Sequence, residues 1–78
     1  MVDRPIQVEG ILAQTQLMAA QMASLKMLNE VFQELELPVQ SSLHAAVTRA
    51  ELEGIMSRRE AQNMFDLNRR ANQAKHNP

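Results

Sequence analysis

The sequence predicts an all-α protein, an antiparallel hairpin of two long helices that dimerises into a four-helix arrangement. Two observations on composition and one on pattern lead there. Gln, Ala, Leu, Met, Glu and Arg dominate the chain, and all are good helix formers. With no Trp or Tyr and only Phe32 and Phe65 as aromatics, there is little from which to build a sheet. Apolar residues recur three and four apart along the first half, the spacing of one helix face.

The first helix is expected over about residues 5–36. Pro5 suits an opening turn, where its missing N–H costs nothing, and Asp3 favours the positive end of the helix dipole. Pro38 closes it by pushing Leu37 out of the α region. At 1.5 Å per residue the rod is roughly 46 Å long. Ile11, Met18, Leu25 and Phe32 keep a seven-residue step, as in a coiled-coil seam, although Gln14 and Gln21 interrupt the companion positions. Leu12, Leu17, Ala20, Met27 and Val31 then widen the apolar surface beyond what one buried side requires.

A turn at about 37–41 leads to a second helical segment over about 42–75, completing one domain over 1–78. Ser41 or Ser42 can cap it. Two capping-box patterns lie inside it, Thr48 with Glu51 and Ser57 with Glu60. Gly54 between them weakens a helix by about 1 kcal/mol relative to Ala. The segment is therefore one bent helix, the preferred reading, or two helices broken near Gly54–Ser57. Asn77 and Pro78 should fray. A short connection makes the two arms antiparallel. That register sets Ala46 near Phe32, Ala50 near Leu28, Ala61 near Leu17 and Leu43 near Leu35.

A core this small rarely supplies more than about 3–5 kcal/mol without a staple. There is no cysteine for a disulfide, and His44 and His76 are too far apart in sequence to read as a metal pair. Self-association remains, and a homodimer is expected through Ile11, Leu12, Met18, Met22 and Leu25. The absence of cysteine fits a reducing compartment, so the expected location is the cytoplasm. No secretion signal is read at residues 1–10. The apolar stretch from Ile11 to Leu28 is too often interrupted by polar residues to span a membrane.

No enzyme chemistry is read from this chain, and no catalytic, cofactor or metal residues are assigned. Glu30 and Glu34 lie one turn apart, but no glutamate has a His three residues later, as a di-metal bundle site would want. They read as a solvated face beside the turn. His44 reads as a surface or partly packed residue, with a pH-sensitive contact as the sharper alternative. There is no phosphate loop, nucleophile elbow or His-Glu-x-x-His.

Binding residues are easier to nominate. Met suits surfaces that accept varied partners, although it also fills irregular cores. Met27, Val31, Met56, Arg58, Arg59 and Phe65 are the candidate surface for a protein partner of unknown identity. The chain would serve that partner as adaptor, chaperone-like binder or inhibitor. Net charge is −1, but it is uneven: residues 1–56 hold three basic and seven acidic side chains, and residues 57–78 hold five and two. Arg58–Arg59 and Arg69–Arg70, eleven residues apart and followed by Lys75, share a face that could track a phosphate backbone. Thr48–Asn72 loosely outlines a helix-turn-helix, so a dimeric DNA-binding regulator is the alternative. A solvated charged face is the plainer account of these residues. A structural or assembly component, with hairpins stacking into larger oligomers, is a third possibility.

Overall fold

The computed structural model describes residues 4–76, and side chains over residues 12–75. Among the described residues it holds three helices and no strand: α1 (Arg4–Glu34), α2 (Leu43–Leu52) and α3 (Arg58–His76). The expected single bent second helix is corrected to two separate helices, and the two-helix hairpin to a three-helix arrangement. Asp3, Asn77, Pro78 and the side chain of Ile11 lie outside the described residues.

Both helix ends that create the connections are built alike. At the end of α1, Leu37 N–H donates to Phe32 C=O at 2.7 Å and Glu36 N–H to Gln33 C=O at 3.1 Å. Glu36 between them takes a left-handed φ of 58°. At the end of α2, Ile55 N–H donates to Ala50 C=O at 2.9 Å and Gly54 N–H to Glu51 C=O at 3.1 Å, with Gly54 at φ 73°. Each pair is a Schellman stop, in which two backward bonds satisfy the last carbonyls and one left-handed residue reverses the chain. Gly54 thus ends a helix instead of weakening the middle of one. Leu37 and Ile55, the residues just past the two stops, both pack against the core.

The starts follow the caps. Ser42 Oγ accepts from Ala45 N–H at 3.2 Å and opens α2. Ser57 and Glu60 form the expected reciprocal box before α3: Ser57 N–H donates to Glu60 Oε1 at 2.9 Å, and Glu60 N–H donates to Ser57 Oγ at 3.1 Å. The Thr48–Glu51 pattern forms no box, because Thr48 lies inside α2 and its hydroxyl donates to His44 C=O. The bonds from Ser57 hold the Glu60 carboxyl below the usual carboxylate range. A lowered folded pKa stabilises above the unfolded value, and that contribution is lost as pH falls through the folded one. The stability gap between wild type and Glu60→Gln is therefore expected to be larger at neutral pH and to narrow as pH falls below the usual carboxylate range. Urea midpoints at neutral and acid pH check this, and an unchanged gap would refute it.

The segment 35–42 does not reverse α1 into an antiparallel neighbour. It runs back along α1, fastened where Asn29 Oδ1 accepts from Gln40 N–H at 2.8 Å and Asn29 Nδ2 donates to Gln40 C=O at 2.9 Å. This brings the start of α2 beside Gln21–Leu25. From there α2 and α3 lie antiparallel, tied by Arg58 Nη1 to Glu51 Oε2 at 3.1 Å and by the His44 and Phe65 rings, 5.0 Å between centroids. Gln21 Nε2 donates to Asn68 and Asn72 Oδ1 at 2.7 and 3.0 Å, while Ala61 sits in the core with Leu28 and Phe32. So α3 runs antiparallel to α1, and α2 runs parallel to it. The expected register is corrected accordingly: Gln21, not a residue near 10, stands opposite Asn68, and Leu35 is exposed while Leu43 is buried.

The core is compact and centred on the upper half of α1. Leu28, Phe32, Leu43, Ala46, Val47, Ala50 and Ala61 are buried together, and Leu25, Met56, Met64 and Phe65 close around them. Three alanines with no exposed surface let the helices approach closely around Phe32 and Val47, the two largest fully buried side chains. The molecule is 56 Å long and 21 by 16 Å across. Such length follows from α1. With Gln21 level with Asn72, the end of α3 comes about four residues further down, and α1 continues roughly 20 Å beyond it.

Candidate functional site

Two surfaces emerge from this arrangement. One is the outer face of α1. Successive helix residues are 100° apart, so Leu12, Ala19 and Ala23 stand on the side opposite Gln21, Leu28 and Phe32, with Met22 and Met27 at its margins. Ala19 and Ala23 are exposed. Leu12 is 55% exposed, Met27 58% and Met22 71%. Among the described residues, Lys26, Glu30 and Glu34 are the charged residues on this face. Of the residues expected to drive self-association, Leu12 and Met22 are free on the surface. Met18 is half-buried, and Leu25 is partly buried against the core.

The expected partner residues are not one surface. Met27 projects to solvent, Val31 is half-buried, and Met56 and Phe65 pack against the core. Arg58 is exposed but paired with Glu51. Arg59 is exposed and has no ion-pair partner. Of the five residues nominated for nucleic acid, Arg69 and Arg70 share Asp66, at 2.6 and 3.0 Å. Only Arg59 and Lys75 among those five lack an ion pair.

Val39 and Leu52 are exposed apolar residues that sequence periodicity did not nominate, Leu52 by 78%, and Leu35, which periodicity put on the packed stripe of the first helix, is exposed as well. Leu35 lies just past the end of α1 and Leu52 ends α2, and a helical pattern cannot tell a residue at a helix end that overhangs its neighbour from one that is covered.

The second surface is a cleft of about 310 Å³ where α2 begins. Above that level the fold has three helices, and below it only α1 and α3. Gln21, Asn68 and Asn72 line it from the two long helices, and Ser41, Ser42 and His44 line it from the start of α2. Lys75 is its only charged lining residue if His44 is neutral. Gln21 is only 8% exposed, and with both its Nε2 hydrogens given to asparagines its Oε1 has no donor. The interruption of the apolar stripe by Gln21 was visible in the sequence, but the asparagines that meet it were not.

Among the described residues, no group of three or more His, Asp or Glu could hold a metal ion, and no helix is long and apolar enough to cross a membrane. No protein-family model matches the chain, and no curated protein or solved structure matches it either.

Proposed function

We propose that this chain is a non-enzymatic protein-binding module that pairs with a second copy through the outer face of α1 and holds a larger protein partner, as adaptor, chaperone-like binder or inhibitor. What supports this is the exposed strip Leu12–Ala19–Ala23 with Met22 and Met27 beside it. It lies on a helix that outruns its neighbours, and such a strip loses less in water when another helix covers it. Alanines at its centre permit close approach, and the flexible methionines at its margins adapt to the facing surface. Pairing of two three-helix chains gives six helices in place of the four expected from a simple hairpin.

The nucleic-acid alternative has less to draw on, since Arg58, Arg69 and Arg70 are engaged with carboxylates. Retention on heparin that falls steeply with salt would revive it.

Light scattering across a concentration series tests the proposal. Wild type is expected at twice the single-chain mass of 8.8 kDa in the micromolar range. Leu12→Glu combined with Met22→Glu is expected to return it to single-chain mass with its core helices intact, because neither residue belongs to the core. A wild type of single-chain mass at every concentration would overturn self-association.

A further inference from the structure

We infer that Met22 and Met27 form a modification site, where oxidation of the two thioethers to sulfoxides by a peroxide switches off the outer face of α1. This is a regulation of the pairing proposed above and rests on that reading.

Chemistry narrows the candidates first. The chain has no cysteine, tryptophan or tyrosine, so thioethers are its readily oxidised side chains. Burial then separates the methionines. Met18 is half-buried, and Met56 and Met64 are partly buried against the core. Met22 is 71% exposed and Met27 58%. A peroxide in solution therefore meets those two sulfurs ahead of the other three. Their oxidation spares the buried cluster, because neither belongs to it.

Position gives the modification its consequence. Five residues at 100° each set Met22 and Met27 about 140° apart, one at each margin of the strip Leu12–Ala19–Ala23. The alanines at its centre are small, so much of the apolar area that a facing helix can cover belongs to the two methionines. Each sulfur forms an S–O bond to one oxygen of hydrogen peroxide as the O–O bond breaks. The other oxygen takes the proton and leaves as water. Sulfur loses two electrons and the peroxide gains them. A flexible apolar side chain thereby becomes a polar one. Covering the strip must then strip water from the new oxygens, and a polar atom buried without a partner is costly. Oxidation therefore favours the separate chains. Two thiols return each sulfoxide to the thioether, giving a disulfide and water, so the change is reversible.

The test treats the purified full chain with hydrogen peroxide below the concentration at which it pairs. Peptide mass spectrometry, with fragmentation to tell Met18 from Met22, is expected to show Met22 and Met27 oxidised severalfold faster than Met18, Met56 and Met64. Light scattering across a concentration series should then show pairing weakened at least about tenfold, with the helical circular dichroism unchanged. Methionine sulfoxide reductases for both epimers, with dithiothreitol, should restore it. Met22→Leu with Met27→Leu, judged against its own untreated state, should lose no affinity on treatment. Equal oxidation rates at the five sulfurs, loss of the helical signal, a doubly oxidised chain that pairs as tightly as before, or an equal loss in the leucine variant would overturn the inference and leave pairing standing. Untreated wild type at single-chain mass throughout would overturn the pairing and the switch with it.

Discussion

Phe32→Ala is expected to leave most of the chain unfolded in dilute solution at room temperature. Phe32 has no exposed surface and lies where all three helices converge, with Leu28 beside it on α1, Val47 on α2 and Ala61 on α3. Truncating a buried Phe costs about 3–5 kcal/mol, part in lost transfer energy and part in the void left behind. A core of this size contributes about as much in net stability. The alanines around the site have no side chain with which to fill the space. Far-UV circular dichroism against urea, at a concentration too low for pairing to add stability by mass action, would show a lost or nearly lost folded baseline. A cooperative transition with its midpoint near that of wild type would show that the core is not centred where the structure puts it.

The opposite change should also be costly. Ala46 is completely covered, as are Ala50 on the same helix and Ala61 on α3. Its small size is what lets α2 lie close against its neighbours. Ala46→Leu adds three carbons where there is no room, and such overpacking costs typically about 1–3 kcal/mol in forced rotamers and displaced backbone. The expected result is a clear drop in urea midpoint, with loss of dispersion among the resonances of Leu28, Val47 and Ala61. An unchanged or raised midpoint would mean that α2 stands further off than described.

These two sites also show what was legible in the sequence. Phe32 was readable as core from its seven-residue step with Leu25 and Met18, and the burial of Ala46 and Ala50 was readable from their small size opposite large residues. The partners of those alanines could be reached with the wrong topology, because both the hairpin and the three-helix arrangement set Phe32 and Leu28 against α2. What separated the two was Glu36 and Asn29. Glutamate seldom adopts a left-handed backbone, so nothing in its identity announced a helix stop. Nor does a mid-helix asparagine reveal that it will clasp the backbone of Gln40. Gly54 carried a real signal, read as weakness within a helix when its position three residues before Ser57 placed it between one helix's stop and the next helix's cap. The outer face of α1 was legible as excess apolar width. The cleft was not, since it joins residues 21, 42, 68 and 75, which only the folded chain brings together.

The paired stops at Glu36 and Gly54 govern how the molecule comes apart. Connecting segments are ordinarily the weak points of a small fold, open to proteases and to local fraying. Here Leu37 and Ile55 anchor each connection to the buried cluster, and Asn29 bolts down the longer one. Opening either linker therefore means disturbing the centre, so residues from about Gln21 onward should melt as one cooperative unit.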